Sequence, residues 1–273
     1  MPELPEVETT VRKLKPLIVG KRILNLSGKK ILNIERKGKA ILICLSGGKI
    51  LGFHQRMSGK LLIVPHGTRD KHIRRTFCLS GLPPHLSDRC GGGDLVFHDV
   101  RKFGVVWYGD SKKVLGDPYF KTLGKDALEI SLRDFRKLFK TKYITPLIPL
   151  TLRGTKIKSF LLNQKNLAGV GNIVADEVLW RAKIHPEREV RSLSGLEVRN
   201  LWKSIKFILN RSIKSGGTTM RDWLHPEGTR GAYFEKRFIY DREGEPCRRC
   251  RAGIIRKKIS GRSGYFCPRC QKI

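Results

Sequence analysis

The sequence has 273 residues, of which 40% are hydrophobic, and 56 lysines and arginines against 24 aspartates and glutamates give a formal net charge of +32 at pH 7. This apolar content is enough for one or two packed cores and excludes a disordered basic tail. No apolar run approaches the ~18 residues that a membrane span requires, and the N-terminus lacks the apolar segment of a secretory signal. We therefore expect an intracellular protein of the cytoplasm or nucleoid, with a polyanionic partner such as nucleic acid.

The first segment predicts a short amphipathic helix over residues 2–19, with Pro5 in its first turn. Its apolar residues recur on one face: Val7, Val11, Leu14 and Ile18. Short apolar runs separated by turn residues fill 22–108 and predict an antiparallel β-sandwich or barrel. The strands expected there include Ile41–Leu45, Ile50–Phe53, Leu61–Val64, Leu95–His98 and Val105–Tyr108. Residues 81–93, rich in glycine, are expected to form an exposed loop.

After Gly124 the apolar residues recur with helical spacing. The predicted helices are Leu132–Lys140, Lys156–Asn166, Asn172–Ala182 and Leu193–Lys214. A glycine turn at 167–171 opens directly into the third of them, with Asn172 as its expected N-cap. Free backbone N–H groups at such an end can hold a phosphate, although many helix corners use glycine without a ligand. The residues alone leave both interpretations open.

The seven cysteines divide into three scattered residues and two CxxC pairs separated by sixteen residues. The paired residues are Cys247, Cys250, Cys267 and Cys270. Two such pairs can supply four thiolates to one tetrahedral zinc ion, and the segment 247–273 contains no histidine or carboxylate side chain. The segment 247–273 also carries nine lysines and arginines, so we predict a structural zinc ribbon that faces phosphate. From spacing alone, Arg262 is an exposed cation at a glycine-flanked hairpin tip.

The first residues also suggest a reaction centre. Removal of Met1, which is general before proline, would leave Pro2 with a free secondary amine. Such an amine can attack an aldehyde-level carbon to give an iminium ion, an electron sink that promotes elimination at the adjacent carbon. Glu3 would lie beside the amine as an acid or base, and Glu6 one helical turn later. Proline and glutamate are also ordinary residues of a helix start, so a purely structural role stays open.

Motifs along the whole chain resemble those of the bacterial formamidopyrimidine-DNA glycosylase family. The resemblance begins with Pro-Glu-Leu-Pro-Glu-Val-Glu-Thr at residues 2–9. The related endonuclease VIII branch typically begins Pro-Glu-Gly-Pro, so Leu4 favours the first family. The further matching segments are 36–39, 57–59, 99–104, 168–173, 216–219, 244–247 and the four-cysteine ribbon. Because these motifs are collinear and cover nearly the whole chain, the match is specific.

The resemblance implies an α+β fold in three domains. An N-terminal helix and an antiparallel β-sandwich would form the catalytic domain at 1–122, a helical helix–two-turn–helix domain would occupy 123–229, and a β-hairpin zinc ribbon 230–273. One structural zinc ion is expected, and no nucleotide cofactor. The expected partner is damaged double-stranded DNA, bound by a monomer away from any membrane.

The resemblance also implies an activity, the excision of oxidised purines (8-oxoguanine and formamidopyrimidines) followed by strand cleavage through β,δ-elimination. Pro2 would be the nucleophile that forms a Schiff base at C1′, Glu3 the acid or base, and Glu6 a supporting carboxylate. Lys39 matches the lysine assigned to β-elimination, and Arg262 matches the ribbon arginine assigned to δ-elimination. The matched position therefore outweighs the interpretation of Arg262 as a plain loop cation.

The remaining matches concern DNA binding. Met57, Arg101 and Phe103 match residues that fill the gap left by the extruded base, with Arg101 facing the orphan cytosine. Such residues are needed because a base cannot be attacked within the stack, and filling the gap offsets part of the cost of extrusion. The other matched DNA-contacting positions are His72, Arg153 and Asn172.

Three segments depart from the family pattern or leave the substrate undefined. Residues 54–57 read His-Gln-Arg-Met where many members have His-Leu-Gly-Met, and 81–93 is longer than usual. Residues 218–232 match the region that covers the flipped base, without indicating the preferred purine. Two alternatives stay open: an endonuclease VIII-like glycosylase for oxidised pyrimidines, and a non-enzymatic zinc-ribbon DNA-binding protein, for which a charge of +32 is also natural.

Overall fold

A computed structural model describes residues 2–82, 92–140, 154–220 and 222–273. Most of the loop predicted at 81–93 lies outside these ranges. The chain divides into two compact units, of which the first comprises Met1–Lys121 with Ser212–Phe234 and the second Thr122–Arg211 with Glu235–Ile273. None of the described helices combines the length and apolar character needed to cross a membrane.

The first unit contains the N-terminal helix, most of the strands and two short helices. In chain order these elements are α1 (Leu4–Ile18), β1 (Arg22–Ile23), β2 (Lys29–Lys37), β3 (Ala40–Leu45), β4 (Lys49–His54), β5 (Lys60–Pro65), β6 (Ile73–Leu79), β7 (Gly93–His98), β8 (Val105–Asp110), α2 (Ser111–Leu115) and α3 (Pro118–Lys121). The five strands expected from the sequence all form, each one or two residues longer than predicted.

The described strands of this unit form an antiparallel sandwich. They are hydrogen-bonded in the order β5-β7-β6-β1-β2-β3-β4-β8, and the two-residue β1 joins the group β5-β7-β6 to the group β2-β3-β4-β8. Phe53 of β4 lies with its ring centroid 5.6 Å from those of Phe77 and Phe97, which belong to the other group. The two groups therefore pack face to face, with the aromatic rings between them.

Helix α1 covers this sandwich with the face that the sequence predicts. Its apolar residues Val7, Val11, Leu14 and Ile18 are buried in the same cluster as the sandwich core. Burial of such side chains contributes about 1.5–3 kcal/mol each relative to exposure. The apolar stripe fixes the rotation of α1, and with it the position of the chain's first residues.

The second unit is helical and carries the cysteine ribbon. Its elements are β9 (Lys125–Asp126), α4 (Leu132–Lys140), α5 (Ile157–Leu162), β10 (Leu167–Ala168), α6 (Asn172–Ala182), α7 (Gly195–Lys214, whose last residues belong to the first unit), α8 (Tyr233–Lys236, which begins in the first unit), β11 (Ile255–Ile259) and β12 (Arg262–Phe266). Helices α4 and α6 have the predicted bounds, and α7 begins two residues later than predicted.

Two local predictions about these helices are wrong. The helix expected over Lys156–Asn166 ends at Leu162, because Asn163 turns the chain by accepting the N–H groups of Lys165 (3.0 Å) and Asn166 (2.9 Å). The N-cap of α6 is Gly171 rather than Asn172, which is the first helical residue. The asparagine side chain can therefore bind outside its own helix.

A buried ion pair connects α5 and α6 to the ribbon within the second unit. Lys158 Nζ lies 2.7 Å from Asp176 Oδ1, and both side chains are fully buried. Lys158 also donates to the carbonyl of Ser263 (2.6 Å), and Asp176 accepts the N–H of Tyr265 (3.1 Å). Burial raises the pKa of Asp176 to about 7, against the opposing effect of the Lys158 charge. The hairpin of β11 and β12 is thus held by two buried charged groups, each of which would be destabilising without the other.

We expect Lys158→Met to destabilise the second unit by about 3–5 kcal/mol at pH 8, because it leaves the Asp176 carboxylate buried without its cation. The loss should be smaller at pH 5, where the unpaired carboxyl can take up a proton. Guanidinium unfolding at both pH values measures the difference. The double variant Lys158→Met/Asp176→Leu should recover part of the loss, and equal losses at the two pH values would contradict the role of the carboxylate.

Candidate functional site

The start of α1 brings the predicted reactive residues together. Pro2 and Glu3 are buried and immediately precede the helix, with Glu3 as its N-cap. The Glu6 carboxylate accepts the backbone N–H of Glu3 at 2.7 Å through Oε2. Through Oε1 it accepts the N–H of Thr218, also at 2.7 Å. One buried side chain therefore fixes the backbone next to Pro2 and connects it to a segment more than two hundred residues later.

The glycine pair at 216–217 makes this arrangement possible. Gly217 has a φ of +75°, and a Cβ at this position would lie 3.1 Å from Glu6 Oε1. A side chain would therefore be strained by the backbone conformation and would also press on the carboxylate. This explains in physical terms why glycine precedes Thr218 in the motif.

The environment of Glu6 also changes its acidity. Burial, and next the nearby Glu3 carboxylate, raise the pKa of Glu6 from 4.5 to about 7, while the hydrogen bonds from Glu3 and Thr218 oppose the shift. A carboxyl with a pKa near 7 can both accept and release a proton at neutral pH.

Lys39 occupies a tight turn near this helix start. It lies between β2 and β3 in the turn 38–39, is 5% exposed, and donates its backbone N–H to the Tyr119 hydroxyl at 3.1 Å. Arg36 connects the turn to α1, since its Nε donates to Glu8 (2.8 Å) and its Nη1 donates to the Gly38 carbonyl (3.1 Å). The Arg36 guanidinium therefore connects the lysine turn to Glu8 in the second turn of α1.

Met57, Arg101 and Phe103 lie on two exposed turns of the first unit. Met57 is 43% and Phe103 is 54% exposed, an unusual degree for large apolar residues. The Arg101 guanidinium stands 4.9 Å from the centre of the Phe103 ring. These side chains present an apolar and cationic surface to solvent.

The four ribbon cysteines lie together in the second unit. Their sulfur atoms are within 4.8 Å of one another, and those of Cys250 and Cys267 are 3.4 Å apart. The Trp180 indole N–H points at Cys247 Sγ from 3.4 Å, as it would toward a negatively charged thiolate. Four converging sulfurs fit a tetrahedral zinc ion, which would bind all four thiolates and stabilise the ribbon without an open position for catalysis.

Asn172 and Arg262 are connected through one carbonyl oxygen. Arg262 is exposed at the start of β12, after a two-residue turn in which Ser260 and Gly261 have φ angles of +47° and +80°. The next residue, Ser263, accepts a hydrogen bond from Asn172 Nδ2 at 3.0 Å as well as the one from Lys158. The start of α6 and the exposed arginine therefore form one rigid surface of the second unit.

Two further predicted positions are separate from these groups. His72 is half-buried in the turn before β6, where its N–H donates to Asp70 (2.7 Å) and its ring lies 5.6 Å from that of His98. Arg153 lies outside the described residues.

Sequence models of three domains match the chain. The N-terminal domain of formamidopyrimidine-DNA glycosylase matches residues 24–106, the H2TH domain of the same enzyme matches 135–223, and a zinc finger found in FPG and IleRS matches 244–273. A formamidopyrimidine-DNA glycosylase of Pelotomaculum thermopropionicum is 37% identical, with both chains covered completely. That of Thermus thermophilus is 33% identical over 99% of this chain and 98% of its own. The chain belongs to the formamidopyrimidine-DNA glycosylase family.

Solved structures agree with this assignment and confirm the expected fold class. The crystal structure of the MutM (FPG) protein of Thermus thermophilus superposes with a TM-score of 0.83 at 32% identity, covering 99% of this chain and 98% of the other. A Lactococcus lactis Fpg bound to DNA with an abasic site gives a TM-score of 0.81 at 34% identity, covering 99% and 100%. The family's zinc-finger segment also contains the four clustered cysteines, as expected for one structural zinc ion.

The glycosylase fold reveals positioning residues to which the sequence analysis gave no role. The buried Asp99 accepts hydrogen bonds from the Ser58 hydroxyl (2.6 Å) and from the N–H groups of Arg101 (3.2 Å) and Gly104 (2.7 Å). Asp99 thus connects the turn that carries Met57 to the turn that carries Arg101. Asp99 stands in a motif quoted for the family, so the motif was its only signal in the sequence.

His54 is a second residue of this kind. It pairs with Ala40 across β3 and β4, next to Lys39, and its ring lies 5.0 Å from that of Tyr119. Burial, and then the charges of Arg56 and Lys39, lower the pKa of His54 to about 3. The imidazole beside the lysine turn is therefore neutral at all physiological pH values. No sequence pattern reports this, because it depends on burial.

We expect the pH dependence of stability to report the raised pKa of Glu6. The folded protein binds more protons than the unfolded chain between pH 4.5 and about 7, so this group's contribution to the free energy of unfolding falls as pH rises through that interval. Relative to Glu6→Gln, the wild type should lose stability on the order of 3 kcal/mol between pH 5 and pH 8.

Urea unfolding of both proteins at several pH values measures this difference. The matched control is Glu35→Gln, which alters an exposed carboxylate on β2 and should track the wild type across the range. A constant difference between wild type and Glu6→Gln would show that Glu6 ionises in the folded protein as it does in the unfolded chain.

Proposed function

We propose that this family member is a bifunctional glycosylase and AP lyase that removes 8-oxoguanine and formamidopyrimidines from double-stranded DNA and then cleaves the strand. The observation that carries the proposal is the buried helix start, where Pro2 and Glu3 lie next to a carboxyl group with a pKa near 7. Membership of a family of base excision repair enzymes for oxidised purines supports the substrate class. A solved relative, a Lactococcus lactis FPG mutant, was crystallised with Fapy-dG containing DNA, with a TM-score of 0.81.

The first step is attack of the Pro2 nitrogen on C1′ of the damaged nucleotide. A carbon–nitrogen bond forms as the glycosidic bond breaks and the base leaves with its electron pair and a proton. Opening of the sugar ring gives O4′ a proton and leaves an iminium ion, which carries no N–H because the amine is secondary. Glu3 is proposed to supply and remove these protons, and Glu6 to support it by holding its backbone.

Strand cleavage follows from the iminium ion. Loss of a proton from C2′ expels the 3′ phosphate, and a second elimination expels the 5′ phosphate. Lys39 is proposed to act in the β-elimination and to contact phosphate, a role supported by its tightly held turn and the neutral His54 beside it. Arg262 is proposed to assist the δ-elimination, supported by its exposure on a rigid hairpin.

Access to C1′ requires the damaged base to leave the stack, which costs a few kcal/mol. Met57, Arg101 and Phe103 are proposed to fill the vacated space, with Arg101 facing the orphan cytosine. The exposure of Met57 and Phe103 supports this role, as does the attachment of the two turns to Asp99 through Ser58, Arg101 and Gly104, because a wedge must be accessible and held in place.

The remaining contacts would hold the DNA backbone. We propose that His72, Arg153 and Asn172 contact DNA, and that the acid-free ribbon neutralises further phosphates. The position of Asn172 at the start of α6, where its side chain donates to the carbonyl of Ser263 next to the exposed Arg262, supports its part in this surface. We also propose that the enzyme acts as a monomer of three domains, 1–122, 123–229 and 230–273, because a single N-terminal nucleophile serves each site.

We expect borohydride to trap the wild type covalently on a duplex with 8-oxoguanine opposite cytosine, because reduction of the iminium ion makes the bond permanent. Pro2→Gly should trap at least about tenfold less. Pro16→Ala, a change at an exposed proline of the same helix, should trap like the wild type. Denaturing gel electrophoresis measures the trapped fraction.

The choice of duplex separates the alternatives. Preferential trapping on thymine glycol would identify an endonuclease VIII-like enzyme for oxidised pyrimidines. No trapping on any oxidised or abasic duplex would leave a non-enzymatic DNA-binding protein and contradict the proposal.

We expect zinc removal by a chelator to abolish DNA binding while the first unit stays folded, because structural zinc supplies folding free energy only to the ribbon. Fluorescence anisotropy measures binding, and circular dichroism of the strands reports the first unit. Re-addition of zinc should restore affinity. Undiminished affinity of the zinc-free protein would remove the ribbon from the binding surface.

A further inference from the structure

A second cluster of potential metal ligands lies in the first unit, apart from the ribbon. His66, Cys78 and Asp94 place an imidazole nitrogen, a thiol sulfur and a carboxylate oxygen within 4.8 Å of one another. Asp94 and His98 lie near opposite ends of β7, four residues or about 13 Å apart along the strand. The cluster is therefore also separate from His72, whose ring lies next to that of His98. The cluster takes no part in the chemistry proposed above.

The strand register explains why these three side chains meet. Asp94 on β7 pairs directly with Cys78 on β6 and with Val64 on β5. The side chains of Asp94, Cys78 and Val64 therefore lie on the same face of the sheet. His66 follows Val64 by two residues and returns to the same face. The alternate residues, such as Phe77 and Leu95, point into the sandwich core. The cluster is thus set by backbone pairing rather than by flexible surface side chains.

The three groups are also held individually. Asp94 is 2% exposed, and its carboxylate contacts His66 Nδ1 at 3.0 Å and the N–H of Gly67 at 3.1 Å. The backbone N–H of Cys78 donates to the Asn25 side chain at 3.0 Å, which fixes the residue that carries the thiol. His66, with a side chain 55% exposed, leaves an entry path from solvent.

The charges of the cluster are unusual for this chain. In a protein with a net charge of +32, the buried Asp94 contacts an imidazole, a thiol and a backbone N–H, and no lysine or arginine of the described ranges pairs with it. A divalent cation would neutralise one thiolate and one carboxylate completely.

We propose that His66, Cys78 and Asp94 bind a second zinc ion, with a water molecule at the fourth position. One sulfur, one nitrogen and one oxygen ligand favour zinc over the oxygen-seeking magnesium and calcium. Neighbouring ligands of tetrahedral zinc lie about 3.5 Å apart, given bonds of 2.0–2.3 Å, so the atoms within 4.8 Å of one another approach by about 1.3 Å or less, and the His66 and Asp94 atoms, now 3.0 Å apart, separate slightly. Binding releases the thiol proton of Cys78 to solvent.

The test is a count of bound zinc. The full chain is stripped of metal, reloaded with excess Zn²⁺, passed through gel filtration and analysed by mass spectrometry of the metal. The wild type should hold two zinc ions per chain, and His66→Ala and Cys78→Ser one each. Cys44→Ser removes another half-buried thiol of the same unit and should still hold two.

Cobalt gives an independent readout at the second site. With zinc in the ribbon, added Co²⁺ should produce a thiolate charge-transfer band from a single sulfur, absent in Cys78→Ser and present in Cys44→Ser. His66→Ala keeps the thiol but should weaken Co²⁺ binding at least about 100-fold, because losing a direct ligand costs more than the 10–100-fold of an indirect one. The exposed position of His66 means that this variant should fold normally, and an unchanged melting temperature checks that ligand loss alone explains the weaker binding.

A wild type that holds one zinc ion per chain overturns the proposal. Retention of two ions by either His66→Ala or Cys78→Ser overturns the three-ligand site. Trapping on damaged DNA does not enter this test, so its result stands whether or not the proposed enzymatic function holds.

Discussion

The N-terminal site depends on one buried carboxylate that binds two distant segments of chain. Glu6 accepts the N–H of Glu3 at the helix start and that of Thr218, 212 residues later. A buried N–H without an acceptor costs about 1–3 kcal/mol, so the carboxylate holds both segments in place. Its contact also dictates glycine at 217. The chain's first residues are therefore fixed in position by tertiary contacts and not by the helical propensity of α1.

Most of the secondary structure could be predicted, because periodicity and turn residues agree along the chain. Helices α4 and α6 begin and end at the predicted residues, and the predicted strands lie within the observed ones. The exceptions involve polar side chains that bind the backbone. Asn163 ends α5 early, and Gly171 rather than Asn172 caps α6. Apolar spacing does not report such bonds, because that of Asn163 competes locally with the helix and that of Asn172 reaches Ser263, 91 residues later.

The site could be predicted only where its residues are adjacent in sequence or stand in a family motif. Pro2, Glu3 and Glu6 satisfy both conditions. Asp99 finds its partner Ser58 across 41 residues, and the neutrality of His54 arises from burial. Neither the Asp99–Ser58 bond nor the neutrality of His54 can be predicted from a local sequence pattern, because each depends on which segments become neighbours in the fold.

The shared carbonyl of Ser263 has a consequence for the entropy of DNA binding. Because Lys158 and Asn172 already hold this oxygen, the backbone around Arg262 is ordered before any DNA arrives. An untethered loop would lose about 1–2 kcal/mol per residue in backbone freedom on binding. Here only the rotamers of one long side chain remain to be frozen, at about 2 kcal/mol or less. The ribbon therefore presents Arg262 from a backbone that is already held, so that little backbone entropy is lost when this side chain contacts phosphate.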